Sequence, residues 1–103
     1  MSTKVTIWVP RSSGHSYEEA EMYGEIKELF PKHIRGFSLE EMYQHLIELE
    51  EDGSISEHDI LLPSGPLTFN MIAYEFFMGT YNRVIMLLFD AKTGKYIKRR
   101  IDI

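Results

Sequence analysis

Apolar and polar positions alternate along Lys4 to Val9. Val5, Ile7 and Val9 point one way and Thr6 and Trp8 the other, which predicts a strand that Pro10 ends. The period then changes. Met22, Tyr23, Ile26, Leu29 and Phe30 recur with the i, i+1, i+4, i+7, i+8 spacing of one buried helical face. Ser16 and Glu19 have capping-box spacing, so this helix is expected to start at about Tyr17 and to stop at Pro31. A second stripe, Leu39, Met42, Tyr43, Leu46 and Leu49, predicts a second helix. Ser38 and Glu41 would form its capping box, Phe37 and Met42 its hydrophobic staple, and Gly53 its stop.

Beyond Gly53 the pattern loosens. Ile55 to Pro66 reads as irregular, broken by Pro63, Gly65 and Pro66. Leu67 to Met78 carries two signals. Phe69, Ile72, Ala73, Phe76 and Phe77 fit a helical face, while the abundance of Thr, Phe, Ile and Tyr favours a strand. We read a strand, with Gly79-Thr80-Tyr81-Asn82 as its turn. Arg83 to Phe89 and Tyr96 to Ile103 read as a hairpin around Asp90 to Lys95, with Gly94 at the positive-φ position.

The expected order is β-α-α-β-β-β. This is an α+β fold in which two amphipathic helices pack on a mostly antiparallel sheet. At 103 residues the chain is expected to form one domain. The strand over Arg83 to Phe89 is apolar on both sides: Val84, Met86 and Leu88 on one, Ile85, Leu87 and Phe89 on the other. Such a strand needs cover on both faces. The helices supply one cover. The other is expected from a homodimer or a bound partner, or from the Ile55 to Pro66 loop with Trp8.

Composition narrows the chemistry. The chain is 44% hydrophobic and 26% charged, the balance of a globular protein rather than a disordered one. It has no cysteine, which excludes disulfides, thiolate metal sites and cysteine nucleophiles. The start, Met1 to Trp8, lacks the apolar core of a signal peptide. The densest apolar run, Val84 to Phe89, is far short of the ~20 residues that span a bilayer. A cytoplasmic protein without membrane contact is expected.

Charge is the most informative feature. Tyr17 to Asp59 holds 13 acidic and 3 basic residues, whereas Ile60 to Ile103 holds 3 acidic and 6 basic. The formal net charge is −5.

Four groupings invite a chemical reading. The loop Arg11 to Ser16 leads from a strand towards an expected helix N-terminus, a place where anions bind, but Glu18 and Glu19 in the first turn would repel them. The run Glu48-x-Glu50-x-Asp52-Gly53 to Asp59 has part of an EF-hand spacing. Glu stands where the first Asp belongs, and Asp where the bidentate Glu belongs. His15, His33, His45 and His58 lack ligand spacing, so no metal and no cofactor are expected. No nucleophile elbow is present, and the carboxylates fall on faces expected to be wet, so no catalytic residue is assigned and the protein is read as non-enzymatic.

What remains is a surface. Glu18, Glu21, Glu25, Glu28, Glu40, Glu48, Glu51 and Asp52 are expected to face outward from the two helices. Such a surface steers towards a basic protein partner and can imitate rows of nucleic-acid phosphates. The reading is a small inhibitor or modulator of the kind a phage carries. The alternative is nucleic-acid binding by the basic hairpin residues Lys92, Lys95, Lys98, Arg99 and Arg100, although lysines on an edge strand also block edge-to-edge aggregation.

Overall fold

The computed structural model describes residues 5–103. Lys4, expected to open the first strand, lies outside the described residues. The strand itself forms as β1, Thr6–Val9, and all four of its residues are buried. A 3-10 helix follows at Glu18–Tyr23, then β2 at Glu25–Glu28. Helix α1 spans Leu39–Glu51, β3 is Ile60–Leu61, α2 spans Leu67–Tyr81, and β4 (Arg83–Asp90) and β5 (Lys95–Asp102) form the terminal hairpin. The result is an α+β fold with two main helices and a five-stranded mixed sheet in the order β2-β1-β3-β4-β5.

The pairing direction corrects the expected mostly antiparallel sheet. The pairs β1–β2, β1–β3 and β3–β4 are parallel, and only β4–β5 is antiparallel. The cause is the position of the two helices. Parallel neighbours need a crossover, and α1 and α2 each supply one on the same side of the sheet. Movement from β2 towards β4 with right-handed crossovers keeps both helices on that side. The step from β1 to β2 runs the other way, so the same handedness sends its 3-10 helix to the opposite face.

Two cores result. Trp8, Leu61 and Val84 meet Met42 and Leu46 of α1 and Phe69, Ala73, Phe76 and Phe77 of α2. On the other face Ile7, Val9, Ile60 and Leu87 pack with Ala20 of the 3-10 helix. The second cover of β4 is therefore the 3-10 helix, within one chain. That cover ends before the hairpin tip, where Phe89 is exposed, and the helix-side cover ends there too, where Leu88 is exposed.

Two element assignments differ from the sequence reading. The segment from Tyr17 to Phe30 is not one helix. Met22, placed on its buried face, is 80% exposed. The chain instead turns at Gly24 and lies alongside β1, with Glu25 N–H donating to the Val5 carbonyl and Leu29 N–H to the Val9 carbonyl. Gly24 permits this approach, since a Cβ there would lie 2.4 Å from the Val5 oxygen. Ser16 Oγ accepts the Glu18 N–H, a local turn rather than the reach to Glu19.

Leu67 to Tyr81 is a helix, not a strand. Phe69, Ala73, Phe76 and Phe77 form its buried side, and packing against β4 overrides the strand preference of its residue types. The expected turn at Gly79 to Tyr81 is its last turn, and Asn82, at φ 57°, terminates it in the left-handed region.

Helix α1 and the hairpin form where expected, with Gly53 at φ +83° after the helix and Gly94 at φ +71° in the turn. The staple does not form, since Phe37 is 79% exposed. Ser38 makes no side-chain cap. The irregular stretch Ile55 to Pro66 contains the short central strand β3.

Candidate interaction surface

All eight predicted carboxylates are exposed: Glu18, Glu21, Glu25, Glu28, Glu40, Glu48, Glu51 and Asp52. Their arrangement differs from two neighbouring helices. Glu18 and Glu21 project from the 3-10 helix on one side of the sheet. Glu25 and Glu28 lie on the outer strand β2. Glu40, Glu48 and Glu51 sit on α1, with Asp52 at its C-cap, on the opposite side. Helix α1 lies over the β2 end: His45 Nε2–H donates to the Leu29 carbonyl at 2.8 Å, and its ring meets Phe30 at 6.2 Å between centroids. The acids therefore come from β2, from α1 on one side of the sheet and from the 3-10 helix on the other, where Tyr23 reaches the Tyr96 carbonyl of β5, rather than from two packed helices.

None of the eight takes part in an ion pair among the described residues. Three are held by uncharged donors. Glu28 Oε2 accepts the Ser12 N–H at 2.9 Å, Glu48 Oε1 accepts the Gln44 amide at 3.2 Å, and Asp52 Oδ1 accepts the Ser54 N–H at 2.8 Å. The Ser54 hydroxyl and then its backbone N–H hold the Asp52 carboxyl below its usual range.

The opposite sheet edge is β5. Lys92 in the turn and Lys95, Lys98, Arg99 and Arg100 on the strand are all exposed. Register splits the last four: Lys95 and Arg99 share a face with Ile97 and Ile101, while Lys98 and Arg100 share one with Tyr96. Arg100 Nε is engaged by Asp102 at 2.9 Å.

The Arg11 to Ser16 loop is already occupied by its own chain. Arg11 Nε donates to the Phe30 carbonyl at 3.2 Å, and its Nη2 to the Pro31 carbonyl at 2.6 Å and to the Ile34 carbonyl. The guanidinium also stacks 4.3 Å above the Phe69 ring. It is an internal clamp, with no helix of useful length beyond the loop to attract an anion. Among the other chemical candidates, the four histidines are dispersed, and the described residues contain no cluster of three or more metal-ligating side chains. Asp59, the last position of the EF-hand-like run, is buried. Its Oδ2 accepts the Trp8 indole N–H at 2.8 Å and the Ser56 N–H at 3.0 Å, and its Oδ1 the Thr6 N–H at 3.4 Å.

The sequence reading did not find a cavity of about 590 Å³ beside this loop. Its walls include a hydroxyl cluster. Ser64 Oγ lies 2.6 Å from the Tyr17 hydroxyl and 2.9 Å from Ser13 Oγ, and the Ser13 N–H donates to Tyr17 at 3.1 Å. Burial pushes the Tyr17 phenol up, but the Ser13 and Ser64 hydroxyls and the Ser13 amide outweigh it and leave the phenol below its ordinary value. Phe89 and Tyr96 form another wall, their rings 5.3 Å apart between centroids. Only the chain topology brings these residues together, so no local motif announces them.

Fold and surface together define a small α+β protein with displayed carboxylates and a basic edge hairpin. Among the described residues no helix is long and apolar enough to cross a membrane. The chain belongs to the phage Pam3 gp32-like protein family, whose profile matches residues 4–103, and it is a small protein of phage type. No curated protein and no solved structure matches it.

Proposed function

We propose that this protein acts without catalysis, as an inhibitor or modulator that occupies a basic surface of a protein partner with its carboxylates. The observation that carries this reading is the exposure of all eight acids, with no Lys or Arg of the described chain paired to them. Their negative potential is therefore available to a partner and speeds encounter with a surface of opposite sign. A partner that normally holds nucleic acid offers such a surface, and the carboxylates would then stand in for phosphates. Membership of a phage family fits a small protein directed at a host component.

The test is capture from host lysate with wild type and with a variant carrying Glu25→Lys, Glu28→Lys, Glu40→Lys and Glu48→Lys. Wild type is expected to retain a basic protein that high salt releases, and the variant to lose it. Equal capture by both would remove the acidic surface from the account. A second reading rests on Lys92, Lys95, Lys98 and Arg99, which are exposed and without ion pairs among the described residues. It predicts a gel shift of DNA or RNA that weakens steeply with salt and disappears when Lys98, Arg99 and Arg100 are neutralised.

A further inference from the structure

The cavity beside the β1 loop occupies a special place in the topology. Strand β1 is followed in sequence by β2 on one side, while β3 lies on its other side. The connections after β1 and β3 therefore part company where both strands end. In open sheets of parallel strands, ligands bind in the crevice at such a switch point, at the carboxyl ends of the strands. Strands β1, β3 and β4 run in the same direction, so their carboxyl ends share one end of the sheet. The cavity draws on all of them: Ser13, His15 and Tyr17 follow β1, Ser64 follows β3, and Phe89 ends β4 with Tyr96 opposite it on β5. Its volume of about 590 Å³ lies in the range of small-molecule sites.

The lining restricts the ligand. No Lys, Arg, Asp or Glu is among its lining residues. The nearby Ser12 and Ser13 amides are taken by Glu28 and Tyr17, and Arg11 is committed to three backbone carbonyls. A phosphate or carboxylate thus meets no Lys or Arg side chain there. The polar side chains present are three serine hydroxyls, two tyrosine hydroxyls and one imidazole. They lack the planar amide or guanidinium fork that reads the edge of a base.

Hydroxyls both donate and accept. Within the Ser13, Tyr17 and Ser64 cluster, the contacts at 2.6 and 2.9 Å use two of three hydroxyl protons, and the third spans the longest contact, 3.4 Å between Ser13 and Tyr17, which makes it the proton a ligand would recruit. Phe89 is 59% exposed and offers a π surface beside this polar wall. The π face of an aromatic ring carries partial negative charge and attracts polarised C–H groups. A ring that presents C–H groups on one face and hydroxyls around its rim matches both walls.

We propose that this cavity binds a neutral saccharide, with one pyranose ring stacked on Phe89, its edge against the inclined Tyr96 ring, and its hydroxyls bonded to Ser13, Tyr17 and Ser64. The site is independent of the acidic surface and does not rest on the function proposed for it.

The test applies the intact protein to a printed array of neutral glycans, followed by titration calorimetry with a retained glycan. Binding to at least one neutral glycan is expected. Phe89→Ala should weaken it roughly tenfold or more, Phe89→Trp should restore it, and Ser64→Ala should weaken it severalfold. Circular dichroism checks that each variant is folded; Phe89 is exposed enough to be replaced without opening the core. The four-lysine variant described above should bind the glycan as wild type does. Failure to retain any neutral glycan would overturn the proposal, as would retention that ignores both Phe89→Ala and Ser64→Ala. So would adenosine or inorganic phosphate binding at these residues in place of a sugar.

Discussion

The two sides of the sheet's middle are unlike its hairpin end. Strand β1 is buried along its whole length, flanked by parallel partners and covered on both faces. Strand β5 has one neighbour and is exposed at nearly every residue. The first region is secured by buried polar bonds that tie distant parts of the chain together. Asp59 joins β1 to the approach to β3, and Arg11 joins the end of β1 to the segment after β2. The second is secured by its backbone ladder and by charge. Buried polar bonds between distant parts of the chain are therefore concentrated around β1.

The sharpest way to break this contrast is to remove a bond at the centre. Asp59→Ala strands the buried Trp8 indole N–H and the Thr6 and Ser56 amides. A loss of about 3 kcal/mol is expected, read as a lower urea midpoint with unchanged slope.

A titration tests the same packed region more gently. The Tyr81 hydroxyl donates to the Ile55 carbonyl at 3.3 Å. Burial first, and then the charges of Glu50, Asp59 and Glu57, push its phenol up to about 12. The folded state thus holds this proton more tightly than the unfolded chain does, whose tyrosines titrate near 10. The contribution is fully present below pH ~10 and is lost as pH rises towards ~12. Unfolding midpoints measured across that window should fall for wild type, and fall less for Tyr81→Phe. Parallel curves would show that the phenol's surroundings are the same in both states.

The smallest effect is expected at the hairpin. Lys98→Glu with Arg99→Glu should change stability by no more than about 0.5 kcal/mol, because both side chains are exposed and unpaired among the described residues. A larger loss in thermal unfolding would mean that β5 carries tertiary load its exposure does not suggest.

Some of this was legible in the amino-acid pattern. Helix α1 and the terminal hairpin have local signals, a 3.6-residue stripe and a glycine turn, and local bonds satisfy them. The segment from Tyr17 to Phe30 misleads because its helical stripe competes with the free edge of β1, some 20 residues earlier in the chain, and Gly24 lets the edge win. Leu67 to Tyr81 misleads in the opposite sense: its strand-favouring residues are overruled by packing on β4. Exposure of the acids was readable from their helical spacing on α1 and from composition elsewhere. Their division between the two sides of the sheet was not, because it follows from crossover handedness. The cavity was hidden for the same reason, since its walls come from two loops and the terminal hairpin brought together by strand order.

Trp8 is the chain's single tryptophan, and it sits in the helix-side core with its indole tied to a residue 51 positions away. Its emission consequently reports one event, the closing of the longest-range parallel pairing in the sheet. A built-in optical probe stands at the slowest kind of contact for a chain to find, so refolding of this protein can be followed without a label.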